Sequence, residues 1–152
     1  MSKKQLGKIP NLKKPSLKIL GFQMWVHGRE FPDSQDYWDG NWLNVTVHCG
    51  RLNSDVWFTG SIVHLSELNR LKEDIEKLCI TFKGVIILDT MEPYLRIEFE
   101  TTSKENIAMK VTFTPDHMYE DHHYLFELDE NQLRSCGEQL RNILVDYPIG
   151  NP

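Results

Sequence analysis

Residues 31–49, Phe-Pro-Asp-Ser-Gln-Asp-Tyr-Trp-Asp-Gly-Asn-Trp-Leu-Asn-Val-Thr-Val-His-Cys, constrain the fold of this chain more than any other stretch. They begin as a Pro/Asp/Ser loop, tighten at Asp39-Gly40-Asn41 and leave as a strand. Leu43, Val45, Val47 and Cys49 alternate with Trp42, Asn44, Thr46 and His48. A period of two belongs to a sheet with one buried face. The Asp-Gly pair predicts a tight turn that uses positive φ. Tyr37, Trp38 and Trp42 set large apolar surface beside this polar corner. Such a corner is either a folding nucleus or a recognition surface. Trp38 and Trp42 are expected as core pieces pinning the loop to the sheet, with Asp33, Asp36 and Asp39 exposed.

The rest of the chain repeats the two patterns of an α+β domain. Leu20, Phe22, Met24 and Val26 alternate with Gly21, Gln23, Trp25 and His27, and Val56 and Phe58 start a further strand. Three strands this close in sequence form an antiparallel meander. Leu68, Leu71, Ile75, Leu78 and Cys79 then recur at helical spacing, with Ser66 expected as the N-cap. Val85 to Leu88 reads as a short buried strand, broken at Met91-Glu92-Pro93. Leu95, Ile97 and Phe99, then Ile107, Met109, Val111 and Phe113, give a hairpin, and Tyr124, Phe126 and Leu128 a last short strand. Asp129 and Gln132 form a capping pair ahead of a helix whose stripe is Leu133, Cys136, Leu140, Ile143 and Leu144. Gly137, inside that helix, is expected where packing is close. The order is βββ-α-ββββ-α: an antiparallel sheet of about six to seven strands with two amphipathic helices packed on it. The single domain is expected over residues 16–150, after a basic flexible arm over residues 1–15.

Charge narrows the function classes. The first 18 residues carry six lysines and no acid, so the formal total of −5 leaves −11 for the remaining 134 residues. A domain that acidic argues against a nucleic-acid binder, which presents a basic face. It suits a basic partner, because opposite fields speed encounter. Cys49, Cys79 and Cys136 are too few and too scattered for a disulfide framework and fall at apolar positions. No stretch is long and apolar enough for a membrane span, and no apolar run follows the lysines as in a secretory signal.

No chemistry-bearing motif stands out. Asp116, His117, Glu120, Asp121, His122 and His123 crowd one loop, but adjacent histidines do not readily face one ion, and HExxH and paired CxxC are absent. Nucleophile elbows and Gly-rich phosphate loops are also absent. The expectation is therefore no catalytic residue, no metal and no cofactor. Aromatic side chains ringed by charge resemble interface anchors.

Phe31-Pro32-Asp33 with Asp36-Tyr37-Trp38-Asp39-Gly40-Asn41-Trp42-Leu43 resembles the opening of the WapI-like immunity proteins, bacterial proteins associated with wall-associated polymorphic toxins. Leu65 to Leu71 is similar to that family's first helix. Glu92-Pro93-Tyr94-Leu95 with Phe99-Glu100 resembles its mid-chain pattern, and Leu128-Asp129, Gln132-Leu133-Arg134, Leu140-Arg141 and Tyr147-Pro148 its closing helix. The resemblance implies a cytoplasmic antidote that binds the toxic domain of a secreted toxin, often a nuclease and then basic. The −11 fits an acidic plug for such a site. Asp33, Asp36, Asp39, Glu120 and Asp121 are the expected toxin contacts, and Tyr37, Trp38, Gly40, Trp42, Glu92 and Pro93 the motif positions. The partner is a toxin domain, with no direct nucleic acid and no membrane, and the protein a monomer or weak homodimer. Competing readings are a small ligand-binding domain or enzyme that uses the Trp corner of residues 31–42 as a pocket, and an assembly module whose edge strand pairs with itself.

Overall fold

The computed structural model describes residues 13–150 apart from position 104; most of the basic arm thus lies outside the described residues. Its strands are β1 (Leu17–Ile19), β2 (Phe22–Arg29), β3 (Trp42–Arg51), β4 (Ser54–His64), β5 (Val85–Asp89), β6 (Leu95–Thr101), β7 (Ile107–Phe113) and β8 (His122–Leu128). Its helices are α1 (Tyr37–Gly40), α2 (Leu65–Thr81) and α3 (Glu130–Asp146). The α+β reading holds, with eight strands instead of six or seven, divided into two antiparallel sheets ordered β1-β2-β3-β4 and β5-β6-β7-β8.

Two sheets form because each set of alternating apolar residues needs a facing surface. Phe22, Met24, Val45 and Val47 from the first sheet and Ile97, Phe99, Met109, Val111 and Phe113 from the second join one core. Phe113 meets Phe22 and Phe58 edge-on, at ring separations of 6.1 and 5.1 Å. The helices complete the enclosure: α2 and α3 pack on each other, α3 lies along β1, and α2 lies along β5. Gly137 would place a Cβ 3.2 Å from Ile75 Cγ2, so its bare backbone permits the close α2–α3 approach.

Several local expectations shift. β5 is not buried on both faces: Ile86 and Leu88 point inward while Val85 and Ile87 are exposed, as befits a sheet edge. The outer face of the second sheet carries charge, with Arg96 bound to Asp89 at 2.8 Å and Glu98 opposite Lys110. Asp129 and Gln132 do cap α3 reciprocally, at 2.8 and 2.9 Å. Lys13 is tied down, its carbonyl accepting from the Trp25 indole at 2.6 Å.

The β1–β2 turn is wedged between the end of β3 in its own sheet and Phe126 of β8 in the other. A Cβ on Gly21 would lie 2.2 Å from the Gly50 carbonyl oxygen and 2.7 Å from the Phe126 ring. One contact is backbone, which cannot swing away. Gly21→Ala is therefore expected to destabilise the fold by about 1–3 kcal/mol, the usual range for overpacking. Urea unfolding checks this, and an unchanged midpoint would refute the close approach.

Candidate functional site

The corner of residues 31–42 is built by its own polar side chains. Asp36 is the N-cap of α1, its carboxylate accepting from the Asp39 backbone N–H at 3.0 Å. The expected positive-φ turn at Asp39-Gly40 does not occur; neither residue has positive φ, and the chain turns through α1 instead. A carboxylate three residues before a backbone N–H stabilises a helical turn as readily as Asp-Gly does a reverse turn. Asn41 is buried; it donates to the Tyr37 carbonyl at 2.8 Å and accepts from the Gly150 N–H at 2.8 Å. Arg29 donates to the Gly40 carbonyl at 2.8 Å, to Asn41 Oδ1 at 3.2 Å and to the Pro148 carbonyl. The corner is thus bolted to the segment that follows α3.

His64 sits beneath this corner, fully buried. The rings of Tyr37, Trp38 and Trp42 surround its imidazole at 5.7, 4.9 and 5.1 Å. Its Nε2 faces the Trp38 carbonyl at 3.1 Å, and its Nδ1 accepts from the Ser66 N–H at 3.2 Å. An Nε2–H tautomer satisfies both contacts. His64 and not Ser66 is therefore the N-cap of α2, and Glu67 closes the box by accepting from the His64 N–H at 2.8 Å. The other Glu67 oxygen accepts from the Met91 N–H at 2.8 Å. One imidazole and one carboxylate thus join the corner, the start of α2 and the Met91-Glu92-Pro93 loop. Burial lowers the His64 pKa against the opposing hydrogen bonds to the Trp38 and Tyr37 backbone. Burial likewise raises that of Glu67, against the His64 and Met91 N–H donors. Histidine is an unusual helix cap, which is why the sequence pointed to Ser66; the signal was Glu67 three residues on.

The β5–β6 loop is itself pinned, by Thr90, whose hydroxyl donates to the Leu95 carbonyl at 2.9 Å. It presents Met91, Glu92 and Pro93 outward. Trp38 is not core: it is 51% exposed, and with Met91, Ile87 and Glu67 it lines a crevice of about 150 Å³. Trp42 is only half-buried. With Phe31, Glu92, Tyr94, Pro115 and residues 58–62 it lines a larger groove of about 520 Å³. Phe31 and Met91 are also half-exposed, at 48% and 53%.

The motif positions Trp38 and Trp42 are therefore brought beside the Met91-Glu92 loop, distant in sequence, Trp38 across one cleft and Trp42 across the other. Asp33, Asp36 and Asp39 are exposed. Among the described residues, none of Asp33, Asp36, Asp39, Glu92 and Asp116 has a cation within 4.0 Å. Glu120 and Asp121 are exposed too, but they sit beside His122 and His123 at 3.3 and 3.1 Å; like the three corner aspartates, they line neither cleft. Their loop reaches the groove only through Pro115.

Among the described residues no group of three or more His, Cys, Asp or Glu is placed to hold a metal ion. Both oxygens of the one perturbed carboxylate, Glu67, are engaged by backbone N–H groups. All three cysteines are free; Cys49 and Cys136 are buried, Cys79 only half-buried, and burial pushes the Cys49 thiol up to about 12. The arrangement is suited to contact: half-exposed aromatic and thioether side chains on a rigid frame, bordered by uncompensated carboxylates.

A family model described as the immunity protein WapI-like family matches residues 16–148. No curated protein and no solved structure matches the chain.

Because His64 binds protons less readily folded than unfolded, its contribution to stability is present near pH 7. It is lost as pH falls below about 6.5, where the unfolded imidazole takes up its proton. His64→Asn, which retains a capping side chain, is expected to destabilise the protein most at pH 7.5 and progressively less toward pH 5. Chemical denaturation of both proteins across that range measures it; a penalty independent of pH would contradict the buried neutral imidazole.

Proposed function

Since this chain belongs to the WapI-like immunity protein family, we propose that it is the cytoplasmic antidote to a basic toxin domain, most simply a nuclease, and that it acts by occlusion. The carrying observation is the pairing of half-exposed Phe31, Trp38 and Met91 with carboxylates that have no cation within 4.0 Å among the described residues. Large side chains held by a rigid frame lose little entropy on binding and make effective anchors. A ring of unpaired negative charge steers a positively charged partner and opposes nucleic acid. Asp33, Asp36 and Asp39 are the contact carboxylates beside these anchors. Glu120 and Asp121 act from further out, through the field. No cofactor or reaction of its own is needed, because covering a basic active site denies it to phosphate.

The test is calorimetric and kinetic titration of the cognate toxin domain, with protection of cells that express it. Trp38→Ala is expected to cost more than about 1 kcal/mol of affinity through faster dissociation. Asp33→Asn and Asp39→Asn are expected to slow association at low salt and flatten its salt dependence; Asp36→Asn tests charge while keeping a cap. Tight binding with affinity and salt dependence untouched by all of these would remove the corner as the interface. Failure to bind or protect would remove the antidote reading.

A further inference from the structure

The 520 Å³ groove touches Phe58, Thr59, Gly60, Ser61 and Ile62, five consecutive residues of β4. A cleft on a sheet face meets alternate residues, because side chains point to opposite faces in turn. A cleft that meets every residue in a run looks at the strand's backbone edge. β4 is the edge of the first sheet, paired only with β3. Among the described residues, no side chain or loop hydrogen-bonds its backbone between Val56 and Val63 outside that pairing. The other edges are handled differently. Gln139 accepts from the Lys18 N–H at 2.7 Å and donates to its carbonyl at 3.1 Å, closing β1. Arg51 donates to the Leu125 carbonyl on β8, and α2 lies beside β5. β4 is eleven residues long and contains neither Pro nor Lys, two of the usual guards of an exposed edge; its register with β3 breaks at Ile62, between Ser61 and Val63, so the regular open edge ends at Ser61.

Gly60 adds a second observation. It pairs with Val45, so its missing side chain belongs to the inner face, between Phe58 and Ile62. A Cβ there would meet nothing nearer than Ile62 Cγ1 at 3.9 Å, and its φ lies outside the left-handed region. The fold itself does not require glycine at this position. A glycine inside a strand marks a bulge or a place where another backbone comes close; the register break falls at Ile62, two residues on, and Gly60 itself keeps its regular pairing with Val45, which leaves the close approach.

The geometry points to β4 as the receiving edge for an extended segment of a partner protein, which adds as a fifth strand along residues 58–61, up to the register break at Ile62. The far wall supplies the recognition chemistry. Phe31, Trp42 and Tyr94 accept apolar side chains from one face of the segment, one of which enters the space left by Gly60. Glu92, which has no cation within 4.0 Å among the described residues, accepts a Lys or Arg. The segment is therefore an alternating apolar and basic strand, bound mainly by backbone hydrogen bonds. On the reading above, it belongs to the toxin. The groove shares Phe31 with the acidic corner, so one partner can engage both. A second copy of this chain is the poorer occupant: it would bring another strongly acidic domain against Glu92.

The experiment is fluorescence anisotropy of the full chain with labelled synthetic peptides of about nine residues, long enough for one strand. The first alternates Lys and Val. The second and third are the same peptide N-methylated at one or the other alternate set of residues, which removes backbone donors and keeps side chains and charge. The fourth alternates Glu and Val. The Lys/Val peptide is expected to bind saturably, N-methylation of the set that faces β4 to weaken it about tenfold or more, and the Glu/Val peptide not to bind. Gly60→Leu, which fills the groove from the inside, and Glu92→Lys are each expected to weaken binding about tenfold. Either variant serves if the other fails to fold. Equal binding by both N-methylated peptides, equal binding to folded Gly60→Leu and Glu92→Lys, or no binding of the Lys/Val peptide overturns the inference. Concentration-dependent dimerisation that the Lys/Val peptide does not displace also overturns it. Loss of the antidote reading is scored separately, by cell protection: protection without peptide binding leaves that reading standing and this one refuted.

Discussion

The structure hangs on a buried imidazole. His64 ends β4, caps α2 and fills the space beneath three aromatic rings of the corner. Both ring nitrogens are engaged, and its backbone N–H is held by Glu67, which also holds the next loop through Met91. A polar group excluded from water must keep its hydrogen bonds or lose the fold's stability. That condition makes the corner, the first long helix and the β5–β6 loop one rigid unit. Each could otherwise move independently, since short loops and four-residue helices have little stability of their own.

Rigidity matters because the outward-facing surface is poorly suited to water. Phe31, Trp38 and Met91 stay half-exposed even though the core had room to recruit apolar residues of both sheets. Among the described residues their carboxylate neighbours lack cations, whereas the outer face of the second sheet pairs Arg96 with Asp89 and Glu98. Anchors on a fixed frame and charge left uncompensated are the two properties of a surface awaiting a partner. The edge of β4 continues the same pattern: Gln139 closes β1, and among the described residues nothing hydrogen-bonds the outer edge of β4 between Val56 and Val63.

Much of the fold was legible because strand and helix periods are local. The Leu43–Cys49 and Ile107–Phe113 alternations gave strands at the right places, and Asp129 with Gln132 gave the start of α3. Less legible were features whose cause is distant. Asp39-Gly40 has the chemistry of a tight turn, yet Asp36 and Asn41 draw the same residues into a helical turn. Ser66 has the chemistry of a cap, yet the aromatic cage places His64 there instead. The indoles of the corner suggested core, but the buried volume beneath them is taken by the imidazole, which leaves Trp38 partly outside. Of the candidate contacts, Asp33, Asp36 and Asp39 share the segment that carries Phe31 and Trp38, whereas Glu120 and Asp121, equally acidic in sequence, sit on the loop between β7 and β8; none of the five lines either cleft.

The sequence by itself determined the class of fold, the acidic balance of the folded part and the family, because periodicity, net charge and a run such as Tyr-Trp-Asp-Gly-Asn-Trp-Leu need no knowledge of what lies nearby. The division into two sheets, the exposure of Trp38 and the groove along β4 were decided only by tertiary structure. Each depends on which surfaces meet: Phe113 against Phe22 and Phe58, His64 against the corner, and, among the described residues, no backbone partner for the outer edge of Phe58 to Ile62. Burial and pairing are properties of neighbours in space, and a strand's own residues do not say which of its edges will find one.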